Sequence, residues 1–478
     1  MSIKRILPNT EIELEVEAQS QWKSLPWDKF QVRIKKIQMR IYHDTKHGKW
    51  KQVRDQQRLL LHSMAAKALA IRKITQKNRG KLTAGLDGHV YLTAESRIAL
   101  LSEINTKHLF SKAYKPTHVK RIYIPKPDGS KRPLGIPTVI DRIYQELVRM
   151  ALEPEWEGKF HAHSYGFRSG RNCQDAIKMI KKAHKNGYKY ILEADLSKCF
   201  DNLNHQHILR RISIPYKQII KKWLKIGIID MGTLLKTESG TPQGGVISPL
   251  LSNIALNTLD HAINQVRGLI LIRFADDFIV MSRTANLLNK AKLGIESLTK
   301  KIGPSLNEKK TKIVTIQQGF SFLGFHFIQY PNKALWVQPQ RERVKAFLVK
   351  LKTLIITHKQ VQTKYLIVGL NSRIRGWTNY YRFCRTHTVY SHIQHILWRW
   401  IWNWCKRRHP KKSKQWVYKR YYEKDRRWQL VADDFELRSP FDTKRKAYYW
   451  NVGGLSPYDL REEVQELWMK KKCGEYYV

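Results

Sequence analysis

The stretch LILIRFADDFIVMS, residues 269–282, decides the architecture. Two apolar runs flank the break Phe274-Ala275-Asp276-Asp277. Short runs rich in Ile, Leu and Val, bounded by a turn, read as buried strands. The segment is therefore a hairpin with two adjacent carboxylates at its tip. Such carboxylates repel each other, and fold stability gives no reason to put them there. A bound divalent cation does, since oxygen ligands suit Mg²⁺ and the ion cancels the repulsion. Paired aspartates are nevertheless common in turns, so this feature needs company.

A second buried strand, KYILEA at 189–194, leads to Asp195. If the two strands are neighbours, Asp195 joins Asp276 and Asp277 at one edge of a sheet. Three carboxylates holding two Mg²⁺ ions is what phosphoryl transfer from a nucleotide needs. One ion activates a 3′-hydroxyl and the other stabilises the leaving pyrophosphate. Phe200 lies five residues past Asp195, within EADLSKCFDNLNH (193–205). Its ring either fills the core or lies under an incoming nucleotide, where it would clash with a ribose 2′-hydroxyl.

Charge points the same way. The chain has 478 residues, with 88 Lys+Arg against 39 Asp+Glu, a formal net charge of +49. A surface this positive repels itself unless a polyanion neutralises it. Nucleic acid is the natural partner, because each phosphate contact releases a condensed counterion. An anionic membrane surface is the other candidate. No run approaches the ~20 apolar residues of a membrane span, and HILWRWIWNWC (395–405) is short and carries Arg399. The N-terminus has no apolar core of signal-peptide type. The five cysteines, at 173, 199, 384, 405 and 473, form no CxxC pair. A reducing compartment fits and a zinc site is not supported. The expectation is a soluble, cytoplasmic protein (bacterial cytoplasm, or an organelle matrix) with no membrane partner.

The length suggests two to four domains. Trp27, Phe30, Ile34, Ile37 and Ile41 recur at helical steps, His47-Gly48 breaks the pattern, and a second helix starts near Trp50. Thr93 is a plausible N-cap. Residues 119–124 read as a strand, 125–133 as a turn, 141–160 and 284–302 as helices, and 312–316 and 320–327 as strands. From about 340 strand signals vanish, and helical periodicity with Trp, Tyr and basic residues runs to about 430. Strands that flank helices without strict alternation favour an α+β class.

Seven segments then stand in a telling order: YIPKPDGSKRPLGIPTVIDR (123–142), HSYGFRSGRNCQDAI (163–177), EADLSKCFDNLNH, SGTPQGGVISPLLSNIALNTLD (239–260), IRFADDFIVMS (272–282), LNEKKTKIV (306–314) and FSFLGFHF (320–327). They resemble the reverse-transcriptase motifs, and their wording resembles the group II intron-encoded branch, over roughly residues 85–425. The resemblance implies a right-hand polymerase with an antiparallel palm sheet and a helical thumb. Residues 1–84 would be an N-terminal extension with the start of the fingers, 85–335 fingers and palm, 336–430 thumb or maturase X domain, and 431–478 a DNA-binding tail.

Roles follow from the resemblance. Asp195, Asp276 and Asp277 look like the metal ligands, and Phe200 like the sugar-discriminating aromatic. Lys126 and Arg132, either side of a PDGS turn, resemble the fingertip cations that grip the triphosphate, with Lys120 as a further cation. Gln243 resembles the residue beneath the template–nucleotide pair, and Gly244 and Gly245 would let the backbone approach nucleic acid closely. Lys310, with Lys309 as the competing choice, resembles the lysine facing the pyrophosphate. FLGF (322–325) resembles the loop that holds the primer end. RGWTNYY (375–381) and RRHPKKS (407–413) resemble the maturase thumb. That implies RNA contacts by Arg375, Trp377, Lys406, Arg407, Arg408, His409, Lys411 and Lys412.

The family reading implies an RNA-directed DNA polymerase that also binds its group II intron RNA to promote splicing, reverse splicing and target-primed reverse transcription. Its partners would be intron RNA in a ribonucleoprotein, target DNA, an RNA template with a DNA primer, and dNTPs. The end of the sequence lacks paired cysteines and HNH-type histidines, so priming from another source is expected. A splicing-only RNA-binding protein, a reverse transcriptase of a defence or diversity-generating class, and an RNA-dependent RNA polymerase are the alternatives.

Overall fold

The computed structural model describes residues 18–125, 129–213, 215–331, 334–422, 429–444 and 455–466. Helix α1 (Trp27–Lys46) buries Ile34, Ile37 and Ile41, and α2 (Trp50–His62) buries Val53, Leu60 and Leu61. The break between them falls where expected, with Gly48 at φ +68°, a value open to glycine at no steric cost. Helix α3 (Met64–Arg72) is followed by α4 (Ala94–Glu103), whose N-cap Thr93 accepts from Ser96 N–H at 3.2 Å.

Strands β1 (Val119–Pro125) and β2 (Lys131–Ile136) form an antiparallel hairpin. The second strand begins inside the expected turn, because Lys131 already pairs with Pro125. Helix α5 (Val139–Lys159) runs through the interior against α1, α2 and α3. Its buried carboxylates are matched by cations: Glu146 by Lys73 and Arg149, Glu153 by Arg149, and Glu157 by Arg168. An unpaired charge at such depth would cost several kcal/mol.

Helix α6 (Cys173–Lys185), opened by an Asn172/Asp175 capping box, leads to β3 (Tyr190–Ser197). Strands β4 (Ile228–Asp230) and β5 (Thr233–Leu235) extend the first hairpin into a sheet of order β2-β1-β4-β5. Helix α7 (Ser248–Asn264) then precedes β6 (Leu269–Phe274), β7 (Asp277–Ser282), α8 (Ala285–Ile302), β8 (Ser305–Leu306) and β9 (Lys312–Thr315). The central sheet is antiparallel, with β7 between β6 and β3. Both β8 and β9 pair with the other edge of β3, at its two ends.

Alternation sorts its side chains. Leu192, Leu269, Leu271, Phe278 and Val280 enter one core with α5 and α7. Ile191, Ile272, Ile279 and Met281 enter another with α6 and the next three strands. Those are β10 (Phe320–Phe322), β11 (Phe325–Ile328) and β12 (Trp336–Pro339). The run 320–327 is two strands rather than one, turned at Leu323 (φ +52°) and Gly324 (φ +79°).

Helices α9 (Arg341–Thr357), α10 (Thr363–Tyr381), α11 (His387–Arg408) and α12 (Lys414–Tyr422) close around a separate core that includes Leu351, Leu366, Leu370, Ile374 and Ile401. A two-residue ladder, β13 (Val431–Ala432) with β14 (Phe435–Glu436), packs on α10, so strand pairing does not end at 340. The last described segment returns to the front of the chain. Tyr458 is 6% exposed, Lys35 sits over its ring at 4.7 Å, and Lys35 Nζ donates to Pro457 O. Within the expected DNA-contacting tail, then, residues 431–444 pack on the thumb and 455–466 on the first helices, while Cys473 lies outside the described residues.

Candidate active site

The β6–β7 turn holds a non-glycine residue, Ala275, at φ +61°. A positive φ at the first residue of a two-residue hairpin turn is a glycine preference, so the turn needs outside support. Arg273 provides it. The side chain is fully buried, and all five of its N–H groups are donated at 2.6–2.8 Å: two to the Asp260 carboxylate, and one each to Asn253 Oδ1, Ser164 Oγ and the carbonyl of Ala275 itself. Gly166 packs so tightly on the turn that a Cβ there would lie 2.3 Å from Ala275 N. Neither Arg273 nor Asp260 was assigned a role from sequence, although an arginine inside the apolar run LILIRF was the available signal.

The register brings Asp195 directly opposite Asp277. Strand alternation puts both on the face of Ile191 and Ile279, at the end where that face opens. Asp276 occupies the turn beside them. Strand β3 runs two residues past Asp195, and β8 pairs with that extension, so Asn307 N–H donates to the Asp195 carbonyl at 2.9 Å. This pins the turn that carries Lys310, whose Nζ lies 2.8 Å from Asp195 Oδ2. Of the competing pair Lys309 and Lys310, the structure brings Lys310 to the carboxylates.

Partial burial and the neighbouring Asp276 and Asp195 charges push the Asp277 carboxyl up to about 6, with Lys310 and Arg343 acting in the opposite sense. Among the described residues no three His, Cys, Asp or Glu side chains are gathered closely enough to hold a metal ion. The donor set nevertheless suits a hard divalent cation: only oxygens, an excess of negative charge, and a cationic group already drawn onto one ligand.

Three further predicted residues meet at the junction of hairpin and palm. Arg132 Nε donates to Gln243 Oε1 at 3.0 Å, and Gln243 Nε2 donates to Asp201 Oδ1 at 3.0 Å. Asp201 was not singled out from sequence. Phe200, one residue before it, is 8% exposed, edge-on to Phe167, with its carbonyl accepting from Thr241 N–H at 2.7 Å. Lys120 is exposed on the same face of the hairpin as Arg132, but four residues along from Arg132's partner Ile124, so the structure does not bring the two together. Lys126 lies outside the described residues. The glycines are also required by the protein's own packing. A Cβ on Gly244 (φ +124°) would lie 2.4 Å from Gly135 O, and one on Gly245 would lie 2.7 Å from Ser248 Oγ. Their close approach is to the protein's own chain.

In the thumb the predicted basic residues divide. Trp377 is stacked on Phe347 (4.8 Å, 13° between planes) and meets Tyr381 at 4.5 Å, so its ring is engaged in packing rather than free for a base. Arg408 donates to Val361 O at 2.6 Å and lies over Trp404. His409 bonds Tyr421 Oη at 3.0 Å, and desolvation with Arg408, Arg420 and Lys412 nearby holds its imidazole below the ordinary value. Arg375, Arg407, Lys411 and Lys412 are exposed, and Lys406 is half-buried. The tyrosines of RGWTNYY act elsewhere: Tyr380 Oη donates to Leu323 O at 2.9 Å and Tyr381 Oη to Gly324 O at 3.2 Å. They tie the thumb to the FLGF loop.

Opposed carboxylates on an antiparallel palm, a cationic hairpin beside them and a helical thumb define a template-directed nucleic-acid polymerase. Residues 124–327 match the family described as reverse transcriptase (RNA-dependent DNA polymerase), 22–104 the N-terminal domain of reverse transcriptase, and 344–422 the group II intron maturase-specific domain. The chain belongs to the group II intron-encoded reverse transcriptase/maturase family. It is an RNA-directed DNA polymerase by class, dependent on a divalent metal, and a nucleic-acid-binding protein.

Protein YkfC of Escherichia coli (strain K12) is 32% identical over 332 residues, which cover 59% of this chain and 87% of that protein. The group II intron-encoded protein LtrA of Lactococcus lactis subsp. cremoris is 43% identical over 160 residues, 32% of this chain but only 26% of LtrA. Among solved structures, a Cas6-RT-Cas1–Cas2 complex aligns at 22% identity with a TM-score of 0.32, covering 51% of this chain and 42% of that one. No described helix is long and apolar enough to cross a membrane.

Arg273→Ala should leave Asp260 buried without its partner and lower stability by about 3–5 kcal/mol, read as a fall in the apparent unfolding midpoint; an unchanged midpoint would show that the guanidinium is dispensable. A second expectation concerns pH. The Asp277 carboxyl is raised in the fold, so the metal-free protein should lose stability, relative to Asp277→Asn, as pH rises from 3.8 towards about 6. Divalent-metal binding needs the charged form and should weaken as pH falls through that range. Calorimetry in buffers of different ionisation enthalpy should show proton release on Mg²⁺ binding near pH 5.5 in the wild type and less in Asp277→Asn.

Proposed function

We propose that this protein extends a primer with deoxynucleotides along an RNA template, using Asp195, Asp276 and Asp277 to hold two Mg²⁺ ions. The observation that carries the reading is the cross-strand pairing of Asp195 with Asp277 beside Lys310. When bound, the ions lower the pKa of the primer 3′-hydroxyl and neutralise charge on the leaving pyrophosphate. The protein's own groups do the rest. Lys126 and Arg132 hold the triphosphate, with Lys120 as a further cation on the hairpin. The Arg132–Gln243–Asp201 chain of hydrogen bonds sets the hairpin against the palm, so triphosphate grip and base-pair support move together. Phe200 is fixed through its carbonyl and excludes a 2′-hydroxyl. Lys310 leaves Asp195 for the pyrophosphate and supplies it with positive charge or a proton.

The second activity is non-catalytic. The protein binds a group II intron RNA as a maturase and, within that ribonucleoprotein, supports splicing, reverse splicing and target-primed reverse transcription in the cytoplasm or an organelle matrix. The match of 344–422 to the maturase-specific domain supports this, as do the exposed Arg375, Arg407, Lys411 and Lys412. The same domain division is proposed, with fingers and palm over 85–335, the thumb over 336–430, and contacts to target DNA from the residues after 431.

Primer extension on poly(rA)/oligo(dT) tests the first activity. Wild type should make cDNA, and Asp276→Ala/Asp277→Ala should lose about a thousandfold or more; if wild type makes none, the polymerase reading falls. Phe200→Ala should raise ribonucleotide use relative to deoxynucleotide by about ten- to a hundredfold, and an unchanged ratio would remove the sugar-gate assignment.

A further inference from the structure

Helices α9 and α11 pack along an apolar seam and then part, leaving a groove of about 580 Å³. One wall carries Lys352, Ile356 and Lys359; the other carries Trp400, Asn403 and Arg407. These are helical-face spacings, so each wall is one stripe of its helix or of the turn that ends it. The described residues lining the groove include cations, amides and indoles but no acid. The floor is set in advance. Trp404 Nε1 donates to His358 O at 3.0 Å, Arg408 donates to Val361 O at 2.6 Å, and the Arg408 guanidinium lies 4.6 Å over the Trp404 ring. The bonds to His358 O and Val361 O use up carbonyls after the end of α9 that would otherwise repel an anion.

The built floor distinguishes the groove from a merely solvated end of a helix pair. Ligand pockets of roughly 300–1,000 Å³ are usual for small molecules, so the space suits one nucleotide and not a base-paired duplex. Aromatic faces with cations around them are what unpaired bases and their phosphates select.

We infer that this groove captures one unpaired nucleotide of an RNA strand, with the base against Trp400, its edge within reach of Asn403, and the phosphates on Lys352, Lys359 and Arg407. The inference rests on the RNA-binding reading above and gives that binding a specific seat in the thumb.

The test uses the full chain with a labelled oligo(U) single strand and, in parallel, a blunt A–U RNA duplex, without primer or dNTPs. Trp400→Ala should weaken oligo(U) binding about tenfold or more, Trp400→Phe should keep most of it, and the duplex should be little affected. Trp400 is partly packed against the thumb core, so circular dichroism accompanies it. The exposed pair Lys352→Ala/Lys359→Ala serves as an independent arm, expected to reduce the salt dependence of oligo(U) binding by about one to two counterions. Trp400→Ala binding oligo(U) as wild type does, or losing duplex equally, overturns the groove alone. A wild type that binds no single strand at all overturns the RNA-binding reading with it.

Discussion

A guanidinium removed from water must find a partner for every N–H it carries. Arg273 does so with groups drawn from a helix, a loop and its own turn. That one requirement orders the catalytic half of the molecule. It fixes α7 behind β6 through Asp260 and Asn253, holds the 161–168 loop through Ser164, and supports the left-handed Ala275 that aims Asp276 and Asp277 outward. Adjacent carboxylates at a hairpin tip favour splaying or unravelling. A buried, fully bonded cation immediately behind them supplies rigidity without neutralising them at the surface, where their charge is needed. Lys310 differs in kind: it is exposed, bonded to Asp195 at the surface, and carried on a turn.

Much of the palm was legible in the chain because local pattern and tertiary burial agree there. KYILEA, LILIRF and FIVMS were legible as strands because each is a short apolar run of the kind a strand buried on both faces requires. The helices at 27–46 and 285–302 were legible by their period of 3.6. The misses have a common physical cause: they depend on partners far away in sequence. Gly244 is a glycine because Gly135, on a separate hairpin, passes against it. Asp201 matters because Gln243 reaches it, and Trp377 is engaged because Phe347 and Tyr381 cover it. For Gly244 and Asp201 no local window contains the deciding group; for Trp377, Tyr381 lies one helical turn away, but the stacking Phe347 comes from the preceding helix. The split of 320–327 into two strands was hidden differently. Leu323 adopts a positive φ that its residue type does not advertise, stabilised by thumb tyrosines that take its carbonyl and the next.

The aromatic-basic run in the thumb shows how composition can overstate a surface. A dense alternation of rings and cations reads as a nucleic-acid face, but many of those rings form the core and some of the cations are held by backbone carbonyls. Exposed cations do remain in that run, among them Arg375, Arg407, Lys411 and Lys412, and the groove beside Trp400 adds an aromatic face to Arg407. The large net charge is therefore not spread evenly in function. Buried arginines such as Arg168 and Arg273 contribute to the count, yet each is matched by a carboxylate and offers nothing to phosphate.

The return of residues 455–466 to the first helices has a consequence for biosynthesis. Lys35 meets Pro457 across 422 positions of chain. At the usual elongation rate of roughly 5–20 residues per second, that separation is about 20–80 s of translation. The outer face of α1 must wait that long, uncovered, while fingers, palm and thumb emerge and fold behind it. Completion of the N-terminal layer thus requires the chain through Tyr458 to have left the ribosome, and a product interrupted before Tyr458 leaves that contact with α1 unmade.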